Sequence, residues 1–164
     1  MRPIKLKIKG LNSFVEEQTI DFEKLTKQGF FGIFGPTGSG KSTILDGMIL
    51  ALYGMKAMSR GTNEFVNKNC KSALVSYEFQ ITAAQVKRYR VEREFKAGEK
   101  GTKSGKCRLL DVTDGETVLE ESVTGVDRAC VEIIGLTADD FMRTVVLPQG
   151  KFSEFLKVSG KDRR

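Results

Sequence analysis

The side chains with the clearest chemical purpose fall together in Phe34-Gly35-Pro36-Thr37-Gly38-Ser39-Gly40-Lys41-Ser42-Thr43. The run fits G-x-x-x-x-G-K-[ST], a phosphate-binding loop. Gly35, Gly38 and Gly40 open backbone angles closed to other residues, so successive N–H groups can turn toward one anion. Lys41 supplies a positive charge for β- and γ-phosphates, and the Ser42 hydroxyl is a ligand for Mg²⁺. A helix starting at this point adds the positive end of its dipole.

Such a loop works only between a strand and a helix, and the flanks have that form. Residues 29–34, Gly-Phe-Phe-Gly-Ile-Phe, form a short apolar run of the kind expected for a buried strand. Beyond the loop, Ile44, Leu45, Met48, Ile49 and Leu52 share one helical face, and Gly54 is placed to end that helix. A flexible Gly/Ser turn would not account for this order of elements.

The 164 residues suffice for one domain with a core, and 40% hydrophobic with 29% charged residues is ordinary globular composition. No apolar run is long enough to cross a bilayer. Cys70, Cys107 and Cys130 lack metal-ligand spacing, which suits a reducing cytoplasm. Histidine is absent, so a histidine general base, a Ser-His-Asp triad and any His-containing zinc site are excluded within this chain. Chemistry must rest on backbone amides, lysine, carboxylates, side-chain amides and a metal. The net charge of +6 is concentrated in residues 85–108, which hold nine basic and three acidic side chains.

Taken in order, Ile4-Lys5-Leu6-Lys7-Ile8-Lys9 alternates as a half-buried strand, and residues 15–22 offer a second strand of a hairpin leading to the phosphate loop. Residues 55–69 read as an irregular loop. Ala73, Val75, Tyr77, Phe79 and Ile81 make one apolar strand face. Residues 85–95 alternate again, with Tyr89, Val91 and Phe95 opposite Arg88, Arg90, Glu92 and Glu94. A polar Gly-rich tip at 97–105 leads to a return strand over 106–112, and the short links make these strands antiparallel neighbours. Val126, Ala129, Cys130, Ile133 and Ile134 then take helical spacing, with Thr124 and Asp127 resembling a capping box. Thr137 with Asp140 opens a shorter helix; residues 143–150 break into a strand and a loop, and residues 152–156 begin another helix.

Three stretches together resemble the N-terminal ATPase lobe of the SbcC family, bacterial DNA-repair ATPases related to SMC proteins and ABC transporters. They are residues 8–14 (Ile-Lys-Gly-Leu-Asn-Ser-Phe), residues 35–54, and residues 139–152 with Leu147-Pro148-Gln149-Gly150-Lys151-Phe152. The last is similar to the family's Q-loop. The resemblance implies an α/β fold: a P-loop ABC-type N-terminal lobe with a mixed sheet, the P-loop helix and an antiparallel β subdomain. Residues 1–156 correspond to that half-head, and residues 157–164 to the start of a coiled-coil arm or a truncated tail.

The resemblance implies ATP and Mg²⁺ as ligands. Gly35, Pro36, Thr37, Gly38, Ser39, Gly40, Lys41, Ser42 and Thr43 hold the phosphates. Gln149 joins Ser42 at the Mg²⁺ and helps position the attacking water, so Lys41 and Gln149 are the catalytic candidates. Asn12 and Ser13 sit where the family's first hairpin touches the nucleotide, Asn12 standing where archaeal and eukaryotic relatives have arginine. Residues 66–68 correspond to base contacts. Implied partners are the C-terminal lobe of the same head, a SbcD-type nuclease subunit, a second head joined on ATP, and double-stranded DNA, with no membrane and a cytoplasmic, nucleoid-associated location.

The signature motif, Walker B aspartate, catalytic glutamate and switch histidine that the family needs are not in this sequence. Arg108-Leu109-Leu110-Asp111 is followed by Val112-Thr113, not by a glutamate, and reads as an ordinary strand end. The expectation is ATP hydrolysis by a full-length protein and little or none by this chain alone. The basic ribbon has two readings: a solvated face with arginines paired to Glu92 and Glu94, or a tip whose Lys100, Lys103 and Lys106 follow a DNA backbone. A self-contained P-loop enzyme and a nucleotide-independent nucleic-acid-binding module are the competing functions.

Overall fold

Alternation of Ile4, Leu6 and Ile8 with lysines makes the opening segment a strand, β1 (Arg2–Lys9), whose apolar side is fully buried. The structure, a computed structural model, describes residues 1–58, 65–99 and 101–145. After β1 come β2 (Gln18–Asp21), the single turn α1 (Phe22–Leu25), and the loop-borne helix α2 (Lys41–Tyr53). Strands β3 (Ser72–Thr82), β4 (Val86–Lys96), β5 (Lys103–Asp111) and β6 (Thr117–Glu120) follow, then α3 (Val123–Ile134) and α4 (Ala138–Thr144).

The strands form one sheet in the order β2-β1-β3-β4-β5-β6, and each neighbouring pair is antiparallel. Ala73, Val75, Tyr77 and Phe79 of β3 and Val91 and Phe95 of β4 face the core as their alternation requires. They share that core with Leu50, Ala51, Leu52 and Tyr53 of α2 and with Val126 and Cys130 of α3. The opposite face is polar: the cross-strand row Lys7, Ser76, Glu92, Arg108 runs over four strands.

Several expectations need correction. The apolar run at 29–34 is not a buried strand. It has no place in the sheet, and Phe30, Ile33 and Phe34 are 82%, 43% and 93% exposed. A strand in the middle of a sheet needs neighbours to take its backbone groups, and no described strand lies beside this one. The sheet is accordingly antiparallel throughout the described residues, not mixed. The second strand is shorter than expected because Asp21 accepts a hydrogen bond from the Lys24 N–H and starts α1, which carries Phe22 into the core. The 97–105 tip is also shorter, since β5 already begins at Lys103. Ser122, not Thr124, caps α3; its hydroxyl accepts from the Gly125 N–H at 3.0 Å. The Thr137–Asp140 cap of α4 is present, and α4 continues to Thr144 through the break that the sequence suggests at residue 143. The expectations for residues 146–164 lie outside the described residues.

Helix α2 lies close against the sheet at Gly47, where an added Cβ would stand 2.8 Å from Ile8 Cδ1 and 3.7 Å from Leu6 Cδ2. Both neighbours are fully buried, so a larger side chain cannot turn away to solvent. Gly47→Leu is expected to cost ~1–3 kcal/mol by overpacking. The check is a lower urea midpoint at unchanged slope; an unaltered midpoint would mean the helix can lift freely.

Candidate nucleotide site

The loop before α2 owes its shape to its glycines. Gly38 and Gly40 have φ of 84° and 92°, conformations that side chains with a Cβ rarely take. At Gly40 the space is closed as well: a Cβ there would lie 2.5 Å from Phe14 Cζ. Phe14 therefore roofs the start of α2, so the hairpin after β1 is built against the phosphate loop. Gly35 comes so near Ser39 that an added Cβ would stand 2.8 Å from its hydroxyl oxygen, and the loop closes with the Ser39 N–H donating to the Pro36 carbonyl.

Lys41 opens α2 and bends back over this loop. Its Nζ donates to the carbonyls of Gly35 and Pro36, both at 2.7 Å. The ammonium thus spans the concavity that the motif assigns to phosphates. Residues 35–39 and Ser42 are exposed, while Gly40 and Thr43 are buried. An exposed hydroxyl on the first turn of a 13-residue helix, beside an ammonium, suits a metal-bound triphosphate. The Lys41 ammonium fits a nucleotide's phosphates and the exposed Ser42 hydroxyl fits a metal ion bound to them.

The hairpin residue Asn12 reaches the first turns of α2. Asn12 takes the left-handed conformation, with φ 47°, and aims its amide at α2. Its Nδ2 lies 3.4 Å from Thr43 Oγ1 and 3.5 Å from Asp46 Oδ2. The Asn12 N–H donates to the Phe65 carbonyl, and its own carbonyl accepts from Asn67 Nδ2. Asn12 is thereby a brace joining the hairpin, the 65–67 segment and the first turns of α2. Thr43 is buried, and its hydroxyl oxygen accepts from the Asn12 amide. Ser13 is exposed at the hairpin tip. Residues 66–68 lie alongside through the Leu11–Val66 bridge. Gln149 lies outside the described residues.

Arg93 is the polar side chain that periodicity missed. It belongs to the inward side of β4, between Val91 and Phe95, and is 4% exposed. Its Nε donates to the Ala51 carbonyl at 2.7 Å and its Nη2 to the Leu52 carbonyl at 3.2 Å, both at the last turn of α2. Nη1 lies 2.7 Å from Asp127 Oδ1 on α3, a contact of charges without the alignment of a hydrogen bond. A charged residue in the apolar register of an otherwise regular strand was the available signal.

The basic ribbon is largely neutralised. Lys87 pairs with Asp111, Arg88 with Glu23, Arg90 with Glu78, Glu92 and Glu116, Lys96 with Glu94, and Arg108 with Glu92. Lys103 and Lys106 are exposed on β5 and outside the ion pairs found among the described residues. Lys100 lies outside those residues. The buried Cys130 thiol is pushed up to about 12 by desolvation, so it stays protonated and inert at neutral pH.

A family model described as an AAA domain matches residues 5–163. The chain belongs to that family. Among curated relatives, it is similar to the SbcC subunit of nuclease SbcCD from Clostridium acetobutylicum, with 58% identity over 167 residues covering 100% of this chain and 14% of the relative. The protein of the same name from Bacillus subtilis is 50% identical over 166 residues, covering 100% of this chain and 15% of the relative. That from Vibrio cholerae is 36% identical over 177 residues, covering 99% and 17%. The chain thus spans about one seventh of the length of the first of these. No helix among the described residues is long and apolar enough to cross a membrane.

Proposed function

We propose that this chain is the ATP- and Mg²⁺-binding half of an SbcC-type DNA-repair ATPase head, with the ABC-type N-terminal lobe fold. The observation that carries this reading is the loop of residues 35–43, exposed at residues 35–39 and at Ser42, with Lys41 spanning it and Ser42 on the first turn of α2. Full-chain similarity to SbcC subunits of the SbcCD nuclease supports the assignment to DNA-end and hairpin processing, with a SbcD-type nuclease as partner. In this reading ATP draws two heads together and so controls DNA binding and nuclease access. Lys41 holds the β- and γ-phosphates, Ser42 holds the Mg²⁺, and Gln149 completes the metal site and orients water. Asn12 acts by bracing α2, with Ser13 nearest the nucleotide edge.

The second lobe of the head is the partner nearest the site. Phe30, Ile33 and Phe34 run exposed directly into the phosphate loop, a position where single-sheet architecture would bury them. A strand from that lobe would cover them and bring the acidic hydrolytic residues that this sequence lacks. Titration of the chain with Mg-ATP in a calorimeter tests the reading; heats no larger than dilution would overturn it.

DNA contact through Lys103 and Lys106, with Lys100, follows from their position outside the neutralised part of the ribbon. Replacing Lys103 and Lys106 together by alanine is expected to weaken binding of duplex oligonucleotides and to reduce the slope of log K against log salt by about 1 per lysine. Fluorescence anisotropy at several salt concentrations measures this. An unchanged slope would put the DNA elsewhere.

A further inference from the structure

We infer that Arg93 is a positioning residue for the phosphate loop, acting along α2 from the end opposite to Lys41; this rests on the nucleotide-binding reading above. The guanidinium is 3% exposed and holds three groups at once: the Ala51 and Leu52 carbonyls and the Asp127 carboxylate. Those carbonyls belong to the last turn of α2, where the helix dipole concentrates negative charge. Gly54, which ends the helix, leaves the room; a Cβ there would lie 3.2 Å from Arg93 Nη1 and 3.4 Å from Asp127 Oδ1.

The two ends of α2 are held very differently. At the loop end Asn12 reaches Thr43 and Asp46 at 3.4 and 3.5 Å, and Lys41 bonds the carbonyls of its own loop and not the sheet. At the far end the hold is short, charged and buried, and Tyr53 adds a hydrogen bond from its hydroxyl to the Leu136 carbonyl at 3.1 Å. A 13-residue helix is a stiff rod of about 20 Å. A shift allowed at Ala51 and Leu52 therefore arrives at Lys41 and Ser42. Sliding by one residue, about 1.5 Å, would break both guanidinium bonds, so Arg93 fixes the height of α2 over the sheet.

The test compares Arg93→Met, Arg93→Lys and Val91→Ala in this chain, with the fluorescent nucleotide mant-ATP and Mg²⁺ as probe. Val91 is 0% exposed on the same face of β4, so Val91→Ala destabilises the core without touching the carbonyls of α2. Affinities are measured in the cold, where circular dichroism shows each variant folded. Arg93→Met is expected to bind about tenfold more weakly than the unaltered chain, with Arg93→Lys in between and Val91→Ala unchanged. Equal affinities for Arg93→Met and Val91→Ala would overturn the inference and leave the nucleotide site standing. If Arg93→Met does not fold, Arg93→Lys decides: weaker binding at retained structure supports the role, and affinity equal to the unaltered chain overturns it. Failure of the unaltered chain to bind mant-ATP would remove both the nucleotide reading and this inference.

Discussion

Replacing Lys41 by alanine is expected to lower ATP affinity by about a hundredfold or more while leaving the fold intact. The ammonium is hydrogen-bonded to the Gly35 and Pro36 carbonyls at the solvent-facing side of the loop, so its loss opens no cavity. Surface changes of that kind move stability by no more than about 0.5 kcal/mol. Binding is another matter. When a triphosphate enters, the same Nζ exchanges neutral carbonyls for phosphate oxygens, and charge-assisted bonds contribute roughly 1.5–3 kcal/mol each. Losing about 3 kcal/mol corresponds to a little over a hundredfold in affinity. Calorimetric titration of both chains, with thermal melts alongside, separates the two effects. Equal affinities would show that the loop does not hold the phosphates.

The second large effect concerns turnover. The sequence has no histidine, and it has no aspartate followed by glutamate at the end of an apolar strand to take a proton from water. Supplying the C-terminal lobe as a separate chain is expected to raise ATP hydrolysis by about 10²–10⁴-fold, the usual contribution of a positioned general base. Steady-state phosphate release, with and without that lobe, measures it. The same mixture should also hide Phe30 and Phe34, now 82% and 93% exposed, from dyes that bind apolar surface. Substantial turnover by this chain alone would favour a self-contained enzyme.

What was legible in the sequence follows a physical division. Alternation in β1 and β3 marks the buried faces correctly, because each strand lies in a sheet whose other side is open to water. The phosphate loop was legible because its glycines answer to backbone geometry, which is local: Gly38 and Gly40 have the φ that their spacing required. The run at 29–34 misled because hydrophobicity reports a need for burial and not whether the covering element is present. Arg93 was hidden for a related reason. Counted with its neighbours it looks like part of a basic ribbon, and only the fold reveals that it meets the carbonyl end of α2. For Asn12 the resemblance implies the nucleotide, and the fold adds that its short amide, in the left-handed region, reaches α2. Thr124 and Ser122 offer the same capping chemistry for α3, and the extended backbone at Ser122 decides between them.

A crystal structure of this chain grown with Mg²⁺ and a non-hydrolysable ATP analogue tests the central claim most directly. Lys41 Nζ is expected to be withdrawn from the Gly35 and Pro36 carbonyls onto the β- and γ-phosphates, with Ser42 Oγ on the metal. The analogue seated elsewhere, or absent at saturating concentration with Lys41 still on those carbonyls, would contradict it.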